Sequence, residues 1–271
     1  MRWRGARAVI EFTVAQFEPM LAMFGWPFVR ILAFLATEPV LGNRSVPVRV
    51  KVALSVMLAI LIAPALPQVQ GVEVASAAGI LILVQQVVIG AAMGFAVRIT
   101  VAAAEMAGQL AGLQVGLGFA VFFDPQGGGQ TPVVAQFYGV VAVLTLLATN
   151  GHHMLLTALA ESFRALPVSP EPLTAPGFMT LLTWAGEIFR SGLAMAMPVV
   201  GALLVANIAL GILTRAAPQL NIFAVGFPVT LALGFVMLYL SLPQLVPMIE
   251  ALESSSIAAM MRMLEQFGGK P

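Results

Sequence analysis

Charged side chains are so sparse in this chain that long apolar stretches separate them. Six uncharged runs lie at 52–72, 74–97, 106–123, 125–160, 191–214 and 216–249. A bilayer core about 30 Å thick requires roughly 20 apolar residues of helix. All the runs except 106–123 and 125–160 therefore predict a membrane-spanning helix, and 125–160 contains a fifth, from about Pro132 to Thr149.

The composition supports a membrane protein and excludes several functional classes. Hydrophobic residues make up 60% of the chain and charged residues 9%, where about 25% charged is usual. The net charge of +1, with no basic stripe, excludes a nucleic-acid binding surface. Because the chain has no cysteine, disulfides, thiolate metal sites and thiol nucleophiles are excluded as well.

The N-terminal part carries charges that a simple membrane helix would not. Glu11, Glu18 and Arg30 fall inside a helical segment predicted from about Val9 to Ala36. A charge at the centre of a bilayer helix costs roughly 2.5–3.5 kcal/mol on insertion scales, so these side chains require partners. The two acids also interrupt the continuous apolar stretch of a signal peptide, and we therefore expect the N-terminus to be retained.

The basic residues do not define a single topology. Arg44, Arg49 and Lys51 precede the run 52–72 and Arg98 follows 74–97, which predicts a hairpin with cytoplasmic feet and a tip at 71–73. Arginines also precede the first helix, at Arg2, Arg4 and Arg7. One crossing cannot keep both ends of that helix in the cytoplasm. A chain inserted as hairpins within a complex need not follow the rule.

Glycines recur at helical spacing in two places. Gly108, Gly112 and Gly116 are four residues apart, and Gly90 and Gly94 form a second such step. On a helix these glycines share one face and permit close approach of another backbone. The approaching backbone belongs either to this chain or to a neighbouring subunit, and the spacing alone favours neither.

Polar side chains are interleaved with these glycines. They are Glu105, Gln109 and Gln114, with Gln85 and Gln86 earlier in the chain. In hydrocarbon each of them would leave a costly unpaired polar group. Hydrogen bonds between helices are one explanation, and the lining of an aqueous conduit is the other.

A glycine-rich segment follows, from Gly116 to Pro132. Gly127 to Gly129 free the backbone, while Pro125 and Pro132 prevent a continuous helix. Irregular backbone at membrane depth is tolerated only where protein or a water-filled cavity satisfies it. A phosphate-binding loop is excluded, because no Gly-Lys-Ser/Thr follows the glycines.

No constellation of residues indicates catalysis or a metal. His152 and His153 are adjacent, so on a helix they diverge by about 100° and cannot bind one metal together. We expect Asn150 to His153 to end a helix at the membrane interface. Asp124 has no second carboxylate nearby in sequence. The sequence predicts a protein that is not an enzyme and that requires no cofactor.

Four stretches together resemble one family. They are Arg44-Ser-Val-Pro-Val-Arg-Val-Lys51, the segment from Glu105 to Pro125, Asn150-Gly-His152, and the segment from Asn207 to Pro228. They are similar to the FliR/SctT family of the type III secretion export apparatus, in its flagellar branch and its virulence branch. The resemblance extends over about 40–250 and favours the flagellar branch.

This resemblance implies an all-α, multi-helix integral membrane protein of long, kinked helical hairpins. Such a chain is part of a hetero-oligomeric export gate in the bacterial inner membrane, at the flagellar basal body. The implied partners are FliP, FliQ, FlhB and FlhA-like subunits and unfolded exported rod, hook and filament proteins. Within a single 1–271 domain, about 1–177 would correspond to FliP-like helices and about 178–271 to a FliQ-like hairpin and tail.

The family also implies roles for individual residues. A plug that closes the passage would comprise Gly116, Leu117, Gly118, Phe119, Phe122, Phe123, Asp124 and Pro125. Helix packing or subunit contact would involve Gly108 and Gly112, by their spacing, and the motif residues Asn207, Arg215, Pro218, Gln219, Asn221 and Pro228. Phenylalanine side chains close a narrow passage by excluding water, and adjacent glycines allow the segment to move aside.

Two other functions remain open at this level. Helices broken by glycine and proline also mark the sites of secondary transporters, although the two halves of this chain lack matching interrupted segments. A membrane scaffold is the second alternative. In a scaffold, shortening Phe119, Phe122 and Phe123 would not change membrane leakage.

Overall fold

The structure, a computed structural model, describes residues 14–66, 74–117, 132–217 and 222–269. Its regular elements are α1 (Val14–Thr37), α2 (Val48–Ile62) with a 3₁₀ turn (Ala63–Ala65), α3 (Ala77–Val115), α4 (Val133–Ala148), α5 (Gly151–Ala165), α6 (Ala175–Ala185), α7 (Glu187–Ala216) and α8 (Ile222–Phe267). The side chains of 14–21 and 222–225 are not described. The described part contains helices and no strand, which confirms the all-α membrane fold.

Helix α3 lies at the centre and packs against α1, α4, α7 and α8. Small side chains make this possible: Ala103, Ala104, Ala107 and Ala111 are completely buried. The helix continues through Arg98, beyond the end of the uncharged run at Val97. Ser76 begins the helix with its hydroxyl oxygen accepting from the Gly79 N–H at 3.1 Å.

Two hydrophobic cores form along α3. The first joins the N-terminal half of α3 to α1, α2, α5 and the C-terminal end of α8, with Phe34, Met93, Phe163 and Phe267 buried in it. The second joins the C-terminal half of α3 to α4, α7 and the middle of α8. Each end of α3 is therefore held by a different set of neighbours.

Helix α2 packs mainly on α1. Its remaining surface is apolar and exposed, at Val56, Met57, Ile60 and Leu61. The predicted hairpin tip at 71–73 lies outside the described residues. Because the rest of the described chain covers so little of the apolar surface of α2, this surface must face lipid or another protein.

A sharp bend separates α4 from α5. The two helices meet at 72°, and Asn150 between them has φ 59°, in the left-handed region. Asparagine tolerates that conformation better than most residues. The prediction that a helix ends near Asn150 is confirmed, but His152 and His153 lie in the first turn of the next helix.

The described chain has four helical stretches long and apolar enough to cross a membrane, or five if the bent pair α4–α5 counts as one. Helix α8 has 46 residues and α3 has 39. At 1.5 Å per residue these helices are about 69 and 58 Å long, well beyond a bilayer core of about 30 Å. Part of each must therefore lie outside the hydrocarbon or run strongly tilted.

Arg30 on α1 joins three helices from a completely buried position. Its Nε donates to Oε1 of Gln86 on α3 at 2.7 Å. Its terminal nitrogens donate to the carbonyl oxygens of Ser162 and Leu166, each at 3.0 Å, at the C-terminal end of α5. The guanidinium also lies 4.2 Å from the centre of the Phe163 ring.

The partner that Arg30 requires is thus a set of neutral groups. In the described part of the chain no carboxylate forms an ion pair with it. The C-terminal end of a helix carries a partial negative charge, so the C-terminus of α5 stabilises the Arg30 guanidinium electrostatically. Glu11, and the side chain of Glu18, lie outside the described structure.

We predict that Arg30→Met lowers the unfolding temperature of the full chain in detergent by roughly 6–12 °C. The change leaves Gln86 and two carbonyl oxygens without their donor, at about 1–3 kcal/mol for each buried unsatisfied group. Circular dichroism during heating measures the shift. The control is Arg164→Ala, an exposed residue paired with Glu161, which should shift the midpoint little. Equal shifts for the two variants would contradict the role of Arg30.

Candidate functional site

The C-terminal end of α3 is closed by a glycine in a conformation that other residues rarely adopt. Gly116 has φ 94° and follows the last helical residue. The N–H of Leu117 donates to the Gly112 carbonyl at 3.1 Å, and that of Gly116 to the Leu113 carbonyl at 3.1 Å. This pairing is the Schellman arrangement, which satisfies the last carbonyls and turns the chain away from the helix axis.

The chain returns at Pro132, directly before α4. Here Gly108 on α3 lies against the backbone of α4, and a Cβ at this glycine would be 2.5 Å from the Val134 oxygen and 2.6 Å from the Ala135 Cα. Gly112 is in ordinary contact, with its Cβ position 3.4 Å from the Val134 side chain. Both ends of the segment 118–131 are therefore fixed to the same pair of helices.

The predicted plug is only partly within the described structure. Gly116 and Leu117 are described, and both are half-buried at the end of α3. The other predicted plug residues, Gly118, Phe119, Phe122, Phe123, Asp124 and Pro125, lie outside the described residues. Their assignment to a plug remains a prediction, anchored at its first two residues.

One polar stripe runs along the exposed face of α3 toward Gly116. It comprises Arg98, Glu105 and Gln109, which lie within about 40° of one another around the helix because they are separated by seven and four residues. All three side chains are exposed, while the buried face of α3 is almost entirely apolar. The stripe is about 16 Å long at 1.5 Å per residue.

The stripe borders α4 at a second glycine. A Cβ on Gly139 would lie 2.9 Å from Oε1 of Glu105, so the absence of a side chain makes room for the carboxylate. Next along α4, Gln136 and Phe137 are exposed. The helix pair α3–α4 therefore exposes a few polar side chains among apolar ones, of which Leu113 and Val133 lie nearest the segment 118–131 in sequence.

The earlier glutamines have a different role from the stripe. Gln86 accepts from Arg30, and Nε2 of Gln85 donates to the Glu171 carbonyl at 2.7 Å. Both are buried. For Gln85 and Gln86 the explanation by hydrogen bonds within the chain is therefore correct. Gln109, by contrast, is exposed, and Gln114 is half-buried.

The glycine steps serve packing within the chain. Gly90 and Gly94 lie against the backbone of α1 at Arg30 and Phe34, as Gly108 does against α4. The alternative of packing within the chain is therefore correct for these three positions. A bulky side chain at Gly112 would likewise press on Val134 of the same chain.

The predicted contact residues after 200 lie on uncovered surface or outside the described structure. Asn207 and Arg215 on α7 and Pro228 on α8 are exposed. Pro218, Gln219 and Asn221 lie between α7 and α8, outside the described residues. No residue from 204 to 217 is buried, so the described chain covers the C-terminal third of α7 only in part.

Sequence reasoning missed a buried carboxylate after α1. Glu38 accepts hydrogen bonds from the backbone N–H groups of Val40 at 2.8 Å, Leu41, and Gly42 at 3.3 Å, and so caps the turn that follows the helix. Burial raises the pKa of Glu38, and the three N–H groups and the charge of Lys51 oppose that rise. The position of Glu38, directly after an apolar helix and before Pro39, was the sequence feature that could have predicted this cap.

The described residues contain no group of three His, Cys, Asp or Glu that could hold a metal. The rings of His152 and His153 lie with their centroids 4.2 Å apart. The fold and the site thus define a class. The chain is an integral membrane protein of long helices, and its central helix presents an exposed polar stripe and ends at a glycine cap.

The chain belongs to the bacterial export proteins, family 1, whose family model matches residues 21–255. It is 45% identical to the flagellar biosynthetic protein FliR of Pectobacterium carotovorum subsp. carotovorum, over 86% of this chain and 89% of that protein. FliR of Escherichia coli (strain K12) is 41% identical over 91% of this chain and 94% of its own length. FliR of Bacillus subtilis (strain 168) is 30% identical over 89% and 94%.

We predict that Gly108→Ala destabilises the fold by about 1–3 kcal/mol, since the added methyl group overlaps the α4 backbone. The midpoint of thermal unfolding in detergent measures the effect. Gly201→Ala is the matched control, because a Cβ at Gly201 on α7 has nothing within 4 Å. The control should be neutral or stabilising by up to about 1 kcal/mol, as alanine favours a helix over glycine. Similar losses in both variants would contradict the close approach of α3 and α4.

Proposed function

We propose that this chain is a non-enzymatic gate subunit of the flagellar type III protein export apparatus in the bacterial inner membrane. The family match over 21–255 and the flagellar names of the relatives support an export-apparatus subunit of the flagellar branch. The observation that supports the gate role is the polar stripe, which lies on the exposed face of the central helix and ends seven residues before the cap at Gly116. A stripe of this kind is suited to line a wet passage that an apolar segment closes.

The chemistry of 118–131 suits a closure. Phe119, Phe122 and Phe123 are large apolar side chains, and a constriction lined by such groups excludes water and ions. Gly116 allows the reversal at the end of α3, and Gly127 to Gly129 permit further movement of the segment. Because both ends are anchored on α3 and α4, displacement of the segment need not unfold either helix.

The uncovered surfaces support assembly with other membrane subunits. On α7, Phe189, Met197, Val205 and Ile212 are each more than half exposed, although they are large and apolar. Exposed Asn207 lies among them, and an amide in hydrocarbon requires a partner. We assign this face to contact with FliP-, FliQ-, FlhB- or FlhA-like subunits, and the passage to unfolded exported flagellar proteins.

The division of the chain into two parts belongs to the same proposal. The part up to about residue 177 carries the stripe and the segment 118–131, as a FliP-like unit would. The part from about 178 contains most of α6, together with α7 and α8, and the last two helices pack on each other as a hairpin. That hairpin corresponds to the FliQ-like part of the proposal.

We predict that replacing Phe119, Phe122 and Phe123 together by alanine, or deleting 116–123, makes the assembled gate leak ions. Removal of the rings opens a wet path in place of an apolar constriction. Ion flux into vesicles that contain the co-expressed export subunits measures the leak. The matched control replaces the same three residues by leucine, which keeps apolar bulk and should leave the vesicles tight. Tight vesicles with the alanine variant would overturn the plug.

We further predict that Glu105→Leu combined with Gln109→Leu lowers the export of flagellar subunits without preventing assembly. An apolar stripe would no longer hold water along the passage. Secreted hook and filament protein measures export, and co-purification with neighbouring subunits measures assembly. Glu161→Leu, which removes a partly exposed acid on α5, serves as the control. Normal secretion by the double variant would contradict the conduit role of the stripe.

A further inference from the structure

A buried glutamate faces a small cavity where α8 meets the bend between α4 and α5. Glu253 is 8% exposed, and with Thr149 it lines a cavity of about 80 Å³. Four helices contribute to its lining, with Val97, Leu146, Gly151 and Glu250 among the lining residues. A space of this size accommodates water molecules if polar groups face it.

The hydrogen bonds around Glu253 do not suit an ionised carboxylate. Its Oε1 is buried and has no hydrogen-bond partner among the described residues. Its Oε2 lies 3.4 Å from Oγ1 of Thr149. That hydroxyl has one proton, and the Thr145 carbonyl oxygen lies closer to it, at 3.0 Å. When Thr149 donates to Thr145, its oxygen is free to accept a hydrogen bond from the protonated carboxyl of Glu253.

No positive charge compensates Glu253 within the cavity lining. Helix α3 contributes Val97, α4 contributes Leu146, and α5 contributes apolar side chains and Gly151. The other ionisable residue of the lining is Glu250, one turn earlier on α8, which carries the same sign of charge. A buried carboxylate with neither a cation nor a set of donors is costly, and a neighbouring carboxylate adds to that cost.

Glu38 provides the internal contrast. It is buried to a similar degree, at 3% exposed, but its two carboxyl oxygens accept from three backbone N–H groups. Such donors favour the charged form of a carboxyl. Two buried glutamates in one chain therefore have opposite surroundings, and the surroundings of Glu253 suit a neutral acid.

We propose that Glu253 is a proton-binding site whose neutral carboxyl joins α8 to the bend between α4 and α5. The neutral acid donates its O–H to Oγ1 of Thr149, which follows the last residue of α4. Loss of that proton removes the donor and places a second negative charge beside Glu250. The site thus couples proton occupancy to the contact between α8 and the α4–α5 bend.

Infrared spectroscopy of the purified full chain at neutral pH tests the proposal. A protonated carboxylic acid has a carbonyl stretch that is separate from the bands of carboxylates and amides. We expect this band in the unmodified chain and in the controls Glu250→Gln and Glu38→Gln, and its loss in Glu253→Gln. Thr149→Val should retain the band and move it to higher frequency, because the acid loses its hydrogen-bond acceptor.

Several outcomes would overturn the proposal. The absence of the band from the unmodified chain at neutral pH would mean that Glu253 is ionised. A thermal stability that then rises with sodium chloride but not with choline chloride would assign the cavity to a small cation. Loss of the band in Glu38→Gln or Glu250→Gln, with retention in Glu253→Gln, would place the proton elsewhere. An unchanged band in Thr149→Val would remove the contact with the α4–α5 bend, even if Glu253→Gln failed to fold.

Discussion

The structure depends on how closely four helices can approach α3. Inside a membrane the hydrophobic effect contributes little to helix association, so contact area and hydrogen bonds must hold the helices together. Glycine and alanine on α3 supply that area, with Gly90 against α1 and Gly108 against α4. The surface of α3 that these neighbours leave uncovered carries the polar stripe of Arg98, Glu105 and Gln109 together with exposed apolar side chains such as Phe95 and Leu113.

Besides the buried Glu253, two kinds of polar group occur in this apolar fold. Arg30 and Glu38 are fully supplied with partners and fix helix ends, at the C-terminus of α5 and after α1. The stripe on α3 and Asn207 on α7 lack such partners within the described chain and lie on its surface. The first kind stabilises the fold through hydrogen bonds within the chain, and the proposed function assigns the second kind to subunit contact or to the passage.

The sequence was sufficient to predict the class of membrane protein and part of the candidate site on α3. Uncharged runs predicted the spans, and glycine spacing predicted close packing, because both depend on local composition. The length of α3 was not predictable from charge, since Arg98 and Glu105 lie on an exposed face where they do not end a helix. Nor could the sequence indicate that Arg30 meets α5, which lies more than 130 residues away and is joined to it only by folding.

The C-terminal third of α7, in which no residue is buried, has a consequence for biogenesis. A newly made chain with this surface can rest in lipid, but the Asn207 amide is exposed and has no hydrogen-bond partner within the described residues, and under the proposed function another subunit supplies one. The unassembled chain is therefore less stable than the same chain after assembly, since binding selectively favours the folded form. Cellular levels of this protein should therefore follow the supply of its companions, with membrane proteases removing any surplus.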